Sequence, residues 1–141
     1  MSLNADVIVV GGGIVGASFA LQLAASDLQV VVIDRNSPAA TRLDGDFDHR
    51  VYALTPANIA LLESLDLFQQ QDRARLTPIR AMEIFGDKRA TLAFSAREIN
   101  RNELAVMIEH GLLAKRLSDK LNSAAHVQGF DQSVPKSLSI G

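Results

Sequence analysis

Three glycines at fixed spacing follow an apolar run near the start of the chain, and an acid ends a second apolar run. The first run is Val7–Val10, the glycines are Gly11, Gly13 and Gly16, and the acid is Asp34. A glycine turn of this spacing between a strand and a helix brings main-chain amides close to a diphosphate, and an acid about twenty residues further on accepts ribose hydroxyls. The pattern predicts a site for an adenine dinucleotide, FAD or NAD.

Each glycine of the turn has its own predicted task. Gly11 permits the tight exit from the strand, Gly13 leaves room for the pyrophosphate, and Gly16 lets the following helix lie close to the strand. Ile14 and Val15 open that helix, whose first amides and positive end face the diphosphate. We therefore predict that these five residues bind the cofactor.

Asp34 and its neighbour Arg35 are predicted to lie at the ribose. The Asp34 carboxylate suits a ribose hydroxyl and would repel a 2′-phosphate, which disfavours NADP, whereas Arg35 would attract the same phosphate. An α/β unit that binds no nucleotide remains the alternative interpretation.

The hydropathy pattern predicts an α/β fold with a Rossmann-like βαβ unit and a parallel sheet. The unbroken β-branched run 7–10 suggests a strand that is covered on both faces and lies at the centre of the sheet. A helix over 14–26 and a second strand over 30–33 complete the unit. Residues 129–141 carry little periodicity and are predicted to be a loose tail.

Further elements are predicted beyond this unit. Thr55 and Pro56 start a helix that ends near Asp66. Residues 82–85 and 91–94 form a β-hairpin, and a leucine pattern from Gly111 predicts an amphipathic helix. The run 104–108 is either a strand or the front of a helix.

Composition excludes several classes of function. The chain has 141 residues, a net charge of −2 and no cysteine, so neither a basic nucleic-acid surface nor disulfide chemistry is expected. No apolar run is long enough to span a bilayer, and the three histidines lack metal-ligand spacing, so we expect a cytoplasmic protein without a metal. Basic residues such as Arg73 and Arg75 are expected on solvated surfaces, although peripheral contact with an anionic membrane remains open.

A family resemblance is carried by four segments, residues 6–16, 34–35, 50–54 and 108–113. Together they resemble the N-terminal part of the FAD-dependent aromatic-ring monooxygenases, particularly the ubiquinone-biosynthesis hydroxylases. The resemblance covers roughly residues 4 to 123. It implies that Arg50 reaches the phosphates or the flavin edge and that Glu109 lies beside the cofactor; a surface arginine and a helix-start carboxylate are the alternatives. In that family the residue at Asp34 is usually glutamate and holds the adenosine ribose.

The resemblance also implies a chemistry. A flavin reduced by NAD(P)H reacts with oxygen, and one oxygen atom passes to an electron-rich ring such as that of a ubiquinone precursor. Because the cofactor does the bond making, no catalytic side chain is predicted in this chain.

The resemblance further implies an incomplete protein. Residues 1–128 are predicted to be a partial FAD-binding domain, in which a hairpin within 80–100 belongs to an incomplete substrate region. Two later cofactor motifs of the family have no counterpart, so we expect a fragment that is inactive by itself. Weak cofactor binding and self-association through an exposed sheet edge are further expectations.

Two other functions fit parts of the pattern. An NAD-dependent dehydrogenase domain would explain Asp34 equally well, but it gives no task to Arg50 or Glu109. A non-catalytic remnant would instead bind a protein partner through an uncovered apolar edge.

Overall fold

The computed structural model describes residues 4–36, 47–137 and 139. Most of the acidic loop that follows Asp34 in the sequence lies outside these residues. The chain divides into two compact units, the first from 1–46 and 111–141 and the second from 47–110. In chain order the elements are β1 (Val7–Val10), α1 (Ile14–Ala24), β2 (Val30–Ile33), β3 (Val51–Leu54), α2 (Pro56–Ser64), β4 (Thr77–Ile79), β5 (Ala81–Phe85), β6 (Thr91–Ser95), β7 (Ala105–Glu109), α3 (His110–Ser123) and β8 (Val127–Phe130).

The first unit contains a parallel sheet with the strand order β1-β2-β8. The predicted βαβ unit is confirmed, but the prediction that β1 is the central strand is wrong for the described residues. In them β2 lies between its two neighbours, whereas Ile8 and Val10 of β1 are 60% and 65% exposed. An apolar run shows which residues favour burial, but it does not determine which strands pair beside it.

The core of this unit lies between the sheet and α1. Val9, Val30 and Val32 pack with Ala20 of α1, and Leu121 of α3 packs against the same cluster. Small residues on the helix permit this close packing, because a flat helix surface lets the main chain approach the strands.

Gly16 marks the closest approach between α1 and the turn before it. A Cβ atom at this residue would lie 1.9 Å from the carbonyl oxygen of Gly11 and 3.3 Å from a methyl group of Val9. Gly11 itself has φ +104°, a conformation that L side chains rarely adopt. Both glycines therefore have the structural tasks that the sequence predicts for them.

The prediction that a loose tail begins at residue 129 is wrong for Gly129 and Phe130. Gly129 and Phe130 belong to β8, which pairs in parallel with β2, and the Asp34 amide continues this pairing by donating to the Phe130 carbonyl at 3.0 Å. Strand pairing uses the main chain, so β8 forms without the alternating side-chain pattern that sequence analysis looks for.

The face of the parallel sheet opposite α1 carries an open apolar cavity of about 390 Å³. Its walls are formed by side chains of all three strands and by the segment that follows β8. The lining residues are Ala5, Ile8, Val31, Ile33, Phe130, Ser133 and Val134.

The second unit contains an antiparallel sheet and a separate hairpin. The sheet has the order β3-β7-β4, which settles the ambiguous run 104–108 as a strand with buried Val106 and Ile108. The predicted hairpin is confirmed as β5 and β6, with Met82 opposite Phe94.

The helices agree with their predicted starts. The Thr55 hydroxyl accepts from the Asn58 amide at 3.4 Å and caps α2, which ends two residues before Asp66. The leucine pattern after Gly111 forms the inner side of α3. No helix among the described residues has the length and apolar character needed to cross a membrane.

Substitution of Gly16 by alanine should destabilise the first unit. The new methyl group would overlap the Gly11 carbonyl, so we expect the free energy of unfolding to fall by about 3 kcal/mol, at the upper end of ordinary overpacking. Urea denaturation followed by circular dichroism measures this change. Gly13→Ala is the matched control, because a Cβ atom there meets nothing within 4 Å; an equal loss in both variants would contradict the proposed packing.

Candidate functional site

The glycine turn after β1 is tied to the end of β2 by two hydrogen bonds. The Gly11 amide donates to the Ile33 carbonyl at 2.8 Å, and the Gly12 amide donates to Asp34 Oδ2 at 2.5 Å. Because β1 and β2 are parallel neighbours, their carboxyl ends meet at one edge of the sheet. Asp34 is therefore held beside the turn, where the sequence predicts it.

The Asp34 carboxylate keeps acceptor capacity for a ligand. Its Oδ1 accepts from the Asn36 amide at 2.7 Å, so each oxygen has one main-chain donor. Each oxygen of a carboxylate has two lone-pair sites, and one site on each remains for a ribose hydroxyl. Asp34 is half-buried, and the neighbouring Arg35 is exposed.

The N-terminus of α1 is open to an anion. Gly13 is the N-cap residue, and it has no side-chain capping bond; the first turn of the helix has no acidic residue. Ile14 and Val15 are the first two residues of the helix, so no helical carbonyl lies four residues before them to accept from their amides. These amides are therefore available as donors at the positive end of the helix dipole. The space where a Gly13 side chain would begin is empty to 4 Å. These features fit a diphosphate.

A second group of functional candidates lies in the second unit around Glu109. Its side chain is 6% exposed and accepts two hydrogen bonds from Arg75, from Nε to Oε1 and from Nη2 to Oε2, each at 2.6 Å. The Asp48 amide also donates to Oε2, at 2.7 Å. The two charged groups thus form a bidentate ion pair, the strongest geometry available to these side chains.

The same cluster holds the main chain around Arg50. Asp48 Oδ1 accepts from the Arg50 amide at 2.9 Å, and the Arg50 carbonyl accepts from the His110 amide at 2.8 Å. The Arg50 residue is exposed. Arg50 and Glu109, both of which the family resemblance nominates, are therefore connected through Asp48. Contact of either residue with a cofactor stays a prediction.

The ion pair shifts the protonation of both partners. The hydrogen bonds from Arg75 lower the pKa of Glu109 below its ordinary value of 4.5, and the Asp48 amide lowers it further, against the opposing effect of burial. The same hydrogen bonds raise the pKa of Arg75 above its ordinary value. Both groups therefore stay charged in the folded protein across the neutral range.

Arg75 is the site residue that sequence analysis misses. The expectation that it lies on a solvated surface is wrong, because its side chain is only 19% exposed and stacks 5.1 Å from the Phe47 ring centroid. Arg73 is 60% exposed and pairs loosely with Glu63 at 3.6 Å. The two arginines are two positions apart in a basic run, and no pattern in the sequence separates them.

The fold and the first of these sites define the general class of the protein. A parallel βαβ unit, a glycine turn at an open helix N-terminus and an acid at the end of the next strand are the features of a dinucleotide-binding α/β protein. Residues 6–106 match the family model described as FAD dependent oxidoreductase. The chain belongs to this family.

Comparison with individual proteins supports the resemblance seen in the sequence. The chain is 31% identical over 118 residues to 3-demethoxyubiquinol 3-hydroxylase of Escherichia coli K12, a match that covers 84% of this chain and 30% of that protein. It is 33% identical over 88 residues to ubiquinone hydroxylase UbiM of Neisseria meningitidis, covering 62% of this chain and 19% of the relative. The chain thus spans less than a third of the length of these two relatives.

A solved structure agrees with the fold. The p-nitrophenol 4-monooxygenase PnpA from Pseudomonas putida DLL-E4 superposes with a TM-score of 0.68 at 19% identity, over 94% of this chain and 33% of that one. At this identity the likeness shows the fold alone, and the α/β fold predicted from the sequence is confirmed.

The Glu109 ion pair should give stability that depends on pH in a defined direction. Since the folded pKa of Glu109 is lowered, its contribution is complete above about pH 4.5 and is lost as the pH falls through the folded value. We expect Glu109→Gln to lower the free energy of unfolding by about 2 kcal/mol at pH 7. The difference from the wild type should shrink on acidification.

Urea denaturation of both proteins between pH 7 and pH 3 measures this difference. Glu63→Gln is the matched control, because Glu63 is exposed and its pair with Arg73 should contribute less than about 0.5 kcal/mol. A deficit for Glu109→Gln that stays constant over the whole range would contradict the assignment.

Proposed function

We propose that this chain binds FAD through the glycine turn and Asp34, as the N-terminal cofactor-binding part of a flavin-dependent aromatic hydroxylase. The observation that carries the proposal is the open space at Gly13, at the uncapped end of α1 and beside a turn that is bonded to Asp34. Membership in the FAD dependent oxidoreductase family supports FAD over other dinucleotides.

The residues of the first unit have distinct tasks in this proposal. The amides at Gly13, Ile14 and Val15 bind diphosphate oxygens, and the Asp34 carboxylate accepts from the adenosine ribose. Gly11 and Gly16 shape the turn and bring the helix close. Arg35, exposed beside the ribose position, adds a positive charge at this edge.

Arg50 is proposed to supply a cation to the phosphates or the flavin edge. A guanidinium group suits this task because it stays charged and offers several donors in one plane. It is exposed and its main chain is fixed on both sides, through Asp48 and His110.

The bound flavin would supply the redox chemistry, with NAD(P)H as the proposed reductant and oxygen as the second substrate. Two relatives are named as hydroxylases of ubiquinone or its precursor, and we propose an aromatic ring of this class as the molecule that is hydroxylated. We do not expect hydroxylation by these 141 residues alone, because they span less than a third of the length of the two relatives. A cytoplasmic location and contact with an anionic membrane remain predictions.

The FAD affinity of a Gly13→Val variant tests the proposal. In Gly13→Val the side chain would occupy the space assigned to the diphosphate, while the extended N-cap conformation, φ −66° and ψ −177°, accepts a β-branched residue. We expect FAD affinity to fall by at least about 100-fold, which corresponds to about 2.7 kcal/mol. Titration followed by flavin fluorescence measures the dissociation constant.

Gly86→Val in the hairpin turn serves as the matched control, since a Cβ atom there makes only ordinary contacts. Circular dichroism should be unchanged in both variants. Undiminished FAD binding by Gly13→Val would contradict the proposed site. Thermal protection by NAD but not by FAD would favour a nicotinamide-dependent dehydrogenase domain instead.

The exposed side chains of β1 favour a second candidate, a protein-binding surface that includes self-association. Ile8 is 60% exposed on a strand that pairs with β2 on one side, and the described residues provide no strand on its other side. Unpaired strands with apolar side chains associate readily with other chains.

A lysine at position 8 tests this candidate. The charge should prevent close approach of a second chain, so we expect Ile8→Lys to shift any oligomer towards the monomer in light scattering after gel filtration. Ile99→Lys is the matched control, because Ile99 is also 60% exposed but lies in the second unit. Equal behaviour of the two variants would contradict a special role for β1.

A further inference from the structure

The buried carboxylate of Glu109 has three of its four acceptor sites occupied inside the second unit. Both oxygens accept from Arg75, and Oε2 accepts in addition from the Asp48 amide. A carboxylate that is 6% exposed and has three charge-assisted or main-chain donors has little surface left for a ligand. Its hydrogen bonds instead reach the chain segment that carries Arg50.

We propose that Glu109 is a positioning residue, which orders the segment 47–50 through its ion pair with Arg75 and so sets the place of Arg50. This inference rests on the proposed function, in which Arg50 contacts FAD. It replaces direct contact between Glu109 and the cofactor with an indirect effect.

The segment is held at successive points that all depend on this cluster. The Phe47 ring lies against the Arg75 guanidinium at 5.1 Å, and the Asp48 amide is bonded to Glu109. The Asp48 side chain then accepts from the Arg50 amide. Loss of the Glu109 charge would weaken the hydrogen bond from the Asp48 amide and the ion pair with Arg75.

Both partners of the ion pair are anchored in regular structure. Glu109 is the last residue of β7 and lies opposite Val51 in the β3–β7 pairing. Arg75 ends a 3₁₀ turn, Gln70–Arg75, whose start is closed by a reciprocal capping box between Gln69 and the buried Asp72. The carboxylate and the guanidinium therefore both come from well-anchored main chain, which is what a positioning pair requires.

The first measurement needs no cofactor. Hydrogen exchange of the amides in 47–50 should be about tenfold faster in Glu109→Gln than in the wild type, since a hydrogen bond to a charged acceptor is weakened. Amides in the exposed first turn of α2, which also exchange by local opening, should keep their rates, and this separates a local effect on 47–50 from general destabilisation. Unchanged exchange in 47–50 would overturn the proposal.

The second measurement is the FAD dissociation constant of the 141-residue chain. We expect Glu109→Gln and Arg75→Gln each to weaken FAD binding by about tenfold, and the double variant to be no weaker than either alone, because the two residues act as one unit. In an Arg50→Ala background, Glu109→Gln should change the constant by less than about twofold. A direct contact between Glu109 and FAD would keep its full effect in that background and would overturn the proposal.

Arg73→Gln is the matched control for removal of an arginine charge. Arg73 lies two residues before Arg75 but is exposed and only loosely paired, so both exchange in 47–50 and FAD affinity should be unchanged. If the wild type binds no FAD, the proposed function fails, and the exchange result still decides whether Glu109 orders the Arg50 segment.

Discussion

The close packing of α1 against the turn that precedes it is the constraint on which the first unit depends. With no side chain at Gly16, the helix approaches until the Gly11 carbonyl oxygen lies only 1.9 Å from where a Cβ atom would be. This approach buries Ala17 and Ala20 and places the open end of the helix directly after β1. A bulkier residue would move the helix and, with it, the amides that face a diphosphate.

The turn and the acid are joined by the same geometry. The hydrogen bond from the Gly12 amide to Asp34, beside the bond from the Gly11 amide to the Ile33 carbonyl, connects the turn after β1 to the end of β2. The carboxylate therefore has a structural task as well as a proposed one at the ribose. The Asp34 side chain is kept in one orientation beside the glycine turn, because each of its two main-chain donors restricts its rotation.

The second unit buries two charged side chains. Glu109 and Arg75 lie largely out of water, where an unpaired charge would be costly, and their bidentate pairing together with the Asp48 amide compensates for the lost hydration. No buried side-chain nitrogen or oxygen among the described residues lacks a partner. The pair brings together three chain segments that are distant in sequence, around residues 48, 75 and 109.

Local patterns by themselves determined the glycine turn, the βαβ unit, the capped start of α2 at Thr55 and the β5–β6 hairpin. Each of these features lies within one short stretch of the chain, of which the longest is residues 7–33, so spacing and residue type are sufficient. Only the tertiary structure decided that β2 lies between its neighbours, that β8 adds a strand after residue 126, and that Arg75 is held by Glu109 while Arg73 stays in solvent. Those outcomes depend on which distant segments meet, and a contact between distant residues leaves no periodic trace in a single sequence.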